Sequence, residues 1–446
     1  MKKHGHISTS RFIFLGFLMV ILLGTLILML PFSSKDGQVT PFIDALFTAT
    51  STTCVTGLIV HDTATYWSGF GQGVILLLIQ IGGMGVITIA ILLTRMSGRK
   101  ISLKWRTIMQ EAISAPKMQG IVKLTGFIVK TIVIIELAGA VLMYPVFAEK
   151  VGFLKGIWYS VFHSVSAFCN AGFDLMGIKG KYSSLTTVST SVVINVVIML
   201  LIIIGGIGFI TWDDIKRHKF HFKQYRMQSK VILCVTAILI IVPTVYFYFF
   251  ELSKGQWKNI SAPNRFLMSL FQSVSPRTAG FNTIDLNKLS GAGKLVTIIL
   301  MLIGAAPGST AGGMKVTTVA VLFATAFAVF RKKQDAHLCG RRIAIDVVRS
   351  ASAILLMYTS LFVLGGIIIS IADNVPIVTA LFESASAVAT VGLTLGITPT
   401  LSVVSKVVLI ILMFLGRVGG LTVMFAALSN KNPNVSRLPE EKIMVG

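Results

Sequence analysis

The chain has 446 residues, 54% of them hydrophobic and only 13% charged, with a mean hydropathy of +0.82, far from the values of soluble globular domains. A formal net charge of +23 would suit nucleic acid, but the lysines and arginines lie in loops between long apolar runs, where a continuous basic groove is hard to build. What remains is a polytopic membrane protein.

Crossing the hydrocarbon layer takes about 20 apolar residues of helix. Such stretches are read at Phe12–Leu30, Val74–Leu93, Phe127–Phe147, Val192–Thr211, Val231–Phe250, Leu295–Phe330 with an interruption, Ala351–Ile371 and Val403–Leu428, giving eight crossings. The opening "MKKHGHISTSR" and the run after it have the makings of a signal peptide. No convincing small-residue cleavage site precedes "PFSSKDG", so the run is taken as the first helix. Met1–Arg11, Arg95–Lys123, Lys216–Lys230, Arg331–Arg349 and the tail from Lys431 hold 25 of the 40 Lys and Arg, whereas Leu58–Gly71 holds none. The positive-inside rule then places both termini in the cytoplasm of a multi-pass cell-membrane protein. Cys54, Cys169, Cys234 and Cys339 show no spacing of a disulfide or zinc framework.

A short pattern recurs: "TSTTCVTGLIV", "HSVSAFCNAGF", "QSVSPRTAGF" and "ESASAVATVGL". Its glycines, Gly57, Gly172, Gly280 and Gly392, are 115, 108 and 112 residues apart, a period that indicates internal duplication. Phe47, Phe162 and Phe382 lie ten residues before their glycines and Ser51, Ser166 and Ser386 six before; the third copy is one residue shorter. Repeats are placed at 1–97, 98–214, 215–333 (with an intramembrane loop at 304–315) and 334–446 with its tail. The fold expected is all-α: four pseudo-symmetric helix–pore-loop–helix repeats, with eight spanning helices and four re-entrant pore helices around one central pore.

The stretch before the first motif, Pro41–Thr53, would rise only roughly 20 Å as a helix, so it is re-entrant or interfacial. Non-helical backbone is tolerated at membrane depth only where protein buries it or water wets it. Four copies around an axis meet that condition. Each helix would aim its negative C-terminal end at a central cavity, and the segment after it would turn carbonyls onto the axis to replace the hydration shell of a monovalent cation. Glycine supplies backbone angles that a Cβ strains; Thr52 and Thr53 can cap carbonyls or face the wet cavity. For a single copy, ordinary helix–helix packing of small residues is the better account; four copies in register favour the pore.

"IGAAPGSTAGGMKVTT", Ile303–Thr318, breaks an apolar span with one proline and four glycines. Gly308 and Gly313 have the spacing of a phosphate loop, but Met314 and Val316 stand where Lys and Ser or Thr belong, and no strand precedes. An intramembrane loop beside a water-filled cavity is the better reading. Arg417, in "LGRVGG", is expensive to bury and is expected to face the cavity or a partner rather than snorkel. Gln80–Gly85 ("QIGGMG") and Ile203–Gly208 ("IIGGIG") are read as close helix packing in preference to gating. Arg277 and Glu383 flank filter segments and are expected to form a buried pair behind the filter, a structural role preferred over one in permeation.

"VTGL", "NAGF", "TAGF", "TVGL" and "GAAPGSTAGGMK" resemble the Trk/Ktr/HKT superfamily of potassium transporters, over nearly the whole chain and most closely its Ktr membrane subunits. The resemblance implies an ion-selectivity filter at Val55, Thr56, Gly57, Asn170, Ala171, Gly172, Thr278, Ala279, Gly280, Thr390, Val391 and Gly392, with potassium at their backbone carbonyls. Thr390-Val391-Gly392 repeats the start of the potassium-channel signature and the other three diverge from it, which implies weaker selectivity than in dedicated channels. Glycine at all four positions goes with potassium preference in this family; serine at the first goes with sodium permeation. The gate implied comprises Gly304, Ala305, Ala306, Pro307, Gly308, Ser309, Thr310, Ala311, Gly312, Gly313 and Lys315 beneath the filter, with Arg417 near it. Also implied are a homodimer, a separate cytoplasmic RCK-type (KtrA-like) ring that binds ATP or ADP, contact with membrane lipids, possible sodium dependence, and no nucleic acid.

The main rival is a sodium-coupled secondary potassium transporter in which the broken third-repeat helix forms an alternating-access site. Inverted halves would support it; the positions of the basic loops imply parallel repeats. An intramembrane enzyme or lipid scaffold ranks far below, because paired carboxylates and nucleophile–base sets are missing from the sequence.

Overall fold

The computed structural model describes residues 9–86, 88–89, 102–113, 119–178 and 180–419. The first eight residues, the end of the second expected span, the last expected span beyond Gly419 and the tail lie outside the described residues.

The elements in order are α1 (Thr9–Leu28), α2 (Phe42–Thr53), α3 (Gly69–Met84), α4 (Leu103–Ile113), α5 (Ile121–Val151), α6 (Phe153–Phe168), α7 (Val192–Gly206), α8 (Phe209–His218), α9 (Met227–Tyr246), α10 (Ala262–Val274), α11 (Gly291–Leu302), α12 (Val316–Phe330), β1 (His337–Leu338), β2 (Arg341–Arg342), α13 (Ile345–Asp373), α14 (Ile377–Val388) and α15 (Val403–Val418). The antiparallel hairpin β1–β2, with His337 opposite Arg342, is a small departure from the all-α expectation.

A triplet of long helix, short helix and second helix occurs four times: α1–α2–α3, α5–α6–α7, α9–α10–α11 and α13–α14–α15. The second helix of each triplet packs on the short helix of the next, α3 on α6, α7 on α10 and α11 on α14, and α15 returns to α2. This closes a ring. Long helices lie outside it and carry bulky apolar side chains outward, such as Met19 and Leu26 on α1, Leu137 and Val141 on α5, and Leu356 and Ile371 on α13. Toward the axis the composition inverts, with Thr50, Ser51, Thr52, Thr53, Ser164, Ser166, Ser273, Ser275, Ser384 and Ser386 all buried. Apolar outside and hydroxyl-bearing inside is the order expected where the surrounding solvent is lipid.

The second helices are shorter than the spans read for them. α3 ends at Met84 before Gly85 (φ 85°) and α15 at Val418 before Gly419 (φ 88°). The expected helix Val192–Thr211 breaks at Gly208 (φ 88°), where α8 leaves α7 at 96°. Each break rests on a glycine in the left-handed region, where a Cβ would strain the turn. Among the described residues, helix length alone therefore identifies four spans, α1, α5, α9 with its π-turn to Glu251, and α13, or five counting the bent pair α7–α8.

Lys406 on α15 donates to Asp44 on α2 at 2.8 Å, with both side chains little exposed, and His61 Nε2 stands 3.2 Å from the other carboxylate oxygen. This clasp lies where the ring closes. Removing one partner of a buried pair strands the other charge, at a cost of about 3 kcal/mol. Lys406→Met should accordingly lower the thermal midpoint of the detergent-solubilised protein, and Asp44→Asn in the same chain should recover part of it. Equal midpoints for wild type and Lys406→Met would show that the clasp contributes nothing.

Candidate functional site

The four short helices are capped at their C-terminal ends by Cys54, Cys169, Ser275 and Ala389. Left-handed residues follow: Val55 (φ 57°), Asn170 (59°), Thr278 (69°) and Thr390 (51°), then, two positions later, Gly57 (95°), Gly172 (69°), Gly280 (80°) and Gly392 (93°). Three of the first set are β-branched, for which a positive φ is a costly outlier. Alternating the hand of the backbone turns successive carbonyls to one side of the strand, and the surroundings must hold that strain.

A repeated serine does much of the holding. Its carbonyl accepts the amide of the residue before the glycine: Thr56 to Ser51 (2.8 Å), Ala171 to Ser166 (2.8 Å), Ala279 to Ser275 (2.9 Å) and Val391 to Ser386 (2.8 Å). The hydroxyls of Ser51 and Ser386 accept the glycine amides at 3.1 and 3.0 Å. Those of Ser166 and Ser275 instead donate to the carbonyls of Phe173 and Phe281. The amides thus face the wall.

The carbonyls meet at the centre. A Cβ on Gly57 would stand 2.5 Å from Ala171 O and one on Gly172 2.7 Å from Ala279 O; Gly280 faces Val391 O and Gly392 faces Thr56 O just as closely. The contacts run through the triplets in order and return to the first, so all four glycine segments form one closed collar. Asn170 Nδ2 adds a 3.4 Å contact to Thr278 Oγ1 between the second and third. The hydroxyls of Thr50, Thr53, Thr56 and Thr390 and the amide oxygen of Asn170 have no hydrogen-bond partner among the described residues. Thr52 bonds back to Thr48 O at 2.8 Å, so of the two hydroxyls expected to cap carbonyls or face the cavity, this one is used within its own helix.

Residues 303–315 form a loop between α11 and α12 that lies against this collar. Gly304 N bonds Met314 O (2.8 Å) and closes the base. Ala306 N and Thr310 N donate to Gly206 O and Gly205 O, and Phe209 N donates to Gly308 O, so the loop sits in the α7–α8 elbow. Thr310 Oγ1 bonds Phe168 O at the end of α6, a Cβ on Gly312 would collide with the Thr390 side chain, and Gly313 abuts Ala389 O. Lys315 Nζ turns back onto Ala311 O (2.9 Å) and Gly312 O (3.0 Å). Arg417 donates to Thr310 O, Gly82 O and Gly83 O, strapping the loop to the end of α3. Every residue of the expected gate thus lies in or against one loop. Pro307 contributes shape rather than bonds: its carbonyl approaches Gly208, where a Cβ would stand 2.8 Å away, and Ser309 Oγ bonds Ala306 O.

The close-packing reading of the GG pairs is matched by contact: a Cβ on Gly82 or Gly205 would fall closer than 3.0 Å to the carbonyl of Thr53 or Phe168, as would one on Gly416 to Val388 O. The expected Arg277–Glu383 pair does not form. Arg277 donates to Thr236 Oγ1 (3.2 Å), while Glu383 accepts from Thr394 Oγ1, Leu395 N (3.0 Å) and Thr398 Oγ1 (2.9 Å), bracing the turn after the fourth glycine. The two residues stand at different places in their copies, Arg277 three before Gly280 and Glu383 nine before Gly392, and each meets partners of its own wall. The serine brackets and the left-handed residues two before each glycine were not read from the sequence, although the serine spacing was visible in it.

The family described as TrkH, cation transport protein, matches residues 13–436. The chain is 42% identical to the potassium/sodium uptake protein NtpJ of Enterococcus hirae, over 100% of this chain and 99% of that one. It is 37% identical to the Ktr system potassium uptake protein B of Bacillus subtilis, over 97% of this chain and 95% of the relative. The crystal structure of the potassium transporter TrkH from Vibrio parahaemolyticus superimposes with a TM-score of 0.71 at 19% identity, covering 98% of this chain and 88% of that one, which shows a shared fold. The chain belongs to the TrkH family of cation transport proteins.

Proposed function

We propose that the chain takes up potassium across the cell membrane by conducting it through the glycine collar, with residues 304–315 as the gate. The observation that carries this reading is the closed cycle in which each of the four glycines faces a carbonyl of the next copy. Such a collar offers a monovalent cation oxygen ligands in place of water. The ring of triplets favours four parallel repeats, 1–97, 98–214, 215–333 and 334–446, each crossing twice with a re-entrant helix between; the glycine breaks shorten the second crossings without removing them. Both termini then lie in the cytoplasm.

Cation flux into liposomes holding the pure protein tests this. Potassium and rubidium should enter under an imposed potential with no sodium gradient, and more readily than sodium. An absolute requirement for a sodium gradient would establish the ion-coupled transporter instead. The Enterococcus relative carries sodium in its name, so sodium flux is measured in the same experiment.

Relatives named as Ktr system potassium uptake proteins support a further part of the reading: a homodimer seated on a cytoplasmic RCK-type ring whose ATP or ADP state biases the gate. That coupling requires the ring to bind open and closed pores with different affinity. Nucleotide should change flux only when the ring is present. A nucleotide response of this chain alone would contradict the division of labour.

A further inference from the structure

Two basic segments far apart in sequence meet at the end of the molecule away from the collar. Lys123, at the start of α5, and Lys216, Arg217 and Arg226, on and after α8, surround a cavity of about 640 Å³. A second cavity of about 420 Å³, lined by Arg106 and residues 119–123, continues it past Gly120. The carboxylate on the wall, Asp213, is already engaged, by Arg217 at 2.8 Å and Arg226 at 3.2 Å; Arg226 also reaches Asp214 at 3.4 Å. Lys123 and Lys216 have no carboxylate within ion-pairing distance among the described residues. The wall therefore carries surplus positive charge. The first amides of α5, which has no side-chain cap, add to it.

The deeper wall is apolar. Leu124, Phe127 and Ile210 line it, and the Lys216 ammonium lies 4.2 Å from the centre of the Phe127 ring. Depth fits as well: α5 has 31 residues, roughly 46 Å of helix at 1.5 Å per residue, against a hydrocarbon layer of about 30 Å. With its headgroups the bilayer measures about 40–45 Å, close to the length of α5, so Lys123, in the first turn of that helix, stands at headgroup level.

We infer that this cavity binds the phosphate of an anionic phospholipid between Lys123 and Lys216, with acyl chain laid along Leu124 and Phe127. The inference rests on the membrane reading of the apolar belts and is independent of the collar and the gate. The test measures binding rather than flux, so a failure here leaves the transport reading standing.

The full chain, purified in detergent, is titrated with phosphatidylglycerol, phosphatidylcholine or inorganic phosphate and bound species are counted by native mass spectrometry. Phosphatidylglycerol should bind in preference to phosphatidylcholine and survive excess inorganic phosphate. Lys123→Gln with Lys216→Gln should weaken it about thirtyfold, and Lys123→Gln alone about fivefold, the scale of one basic side chain at a lipid surface. Lys254→Gln with Lys258→Gln, near the start of α10 and away from the cavity, should leave it unchanged. Equal binding of the two lipids, an undiminished affinity in the folded double variant, or the same loss in the Lys254/Lys258 control would overturn the assignment. Displacement of phosphatidylglycerol by inorganic phosphate would make this a free-phosphate site and overturn the lipid.

Discussion

Gly57→Ser is expected to lower the potassium-to-sodium flux ratio about tenfold, since a non-glycine residue in the left-handed region costs about 1–2 kcal/mol and 1.4 kcal/mol is a factor of ten. The reason is local. Gly57 has φ 95°, and a Cβ there would stand 2.5 Å from Ala171 O, so either the Gly57 backbone or the neighbouring carbonyl must move. Both belong to the collar, and on the proposed reading moving either alters the oxygen cage that would distinguish one cation from another. Liposome fluxes of the two ions in the folded variant provide the measurement. Gly73→Ala is the control, because a Cβ on Gly73 meets nothing within 4 Å. A ratio equal to wild type in Gly57→Ser would remove Gly57 from the filter.

The collar could be anticipated because its chemistry repeats. One hydroxyl-rich segment ending in glycine is ambiguous; four at intervals of 108 to 115 residues require a shared geometric reason, and the ring supplies it. The shorter third copy is accommodated by the same device, Ser275 standing five rather than six residues before its glycine and still bonding Ala279 N. The breaks at Gly85, Gly208 and Gly419 were not anticipated, because a glycine in an apolar run reads equally as a packing residue or as a turn. Only the neighbouring backbone decides between them: Gly205 packs against Phe168 O, while three residues later Gly208 turns the chain. Arg277 and Glu383 illustrate a different limit. Their places in the repeats showed that both lie beside the collar, but the direction of each side chain depends on which hydroxyls and amides its own wall offers, and those come from α9 for Arg277 and from the turn at 394–398 for Glu383.

Shortening the loop within Ala305–Gly313 is expected to raise basal rubidium flux severalfold while leaving the potassium-to-sodium ratio unchanged. The loop abuts Thr390 and Ala389 at the inner edge of the collar, whereas the collar is braced by serines of the short helices and not by the loop. If the loop obstructs and the collar selects, as proposed, the two have separate physical origins and should respond separately. Arg417→Gln is the finer test. Its guanidinium joins Thr310 O to Gly82 O and Gly83 O, and hydrogen bonds from a charged donor are worth about 1.5–3 kcal/mol each. Losing one such strap shifts the balance between docked and undocked loop by about ten- to a hundredfold. The bonds from Ala306, Thr310 and Phe209 at the α7–α8 elbow remain, so the rise in flux should be smaller than for the shortened loop. Arg417→Lys keeps the charge but cannot span both sides, and should resemble Arg417→Gln more than wild type. If the shortened protein folds and its flux is unchanged or lower, residues 304–315 hold the protein together without closing it, and the gate must be sought elsewhere in the ring.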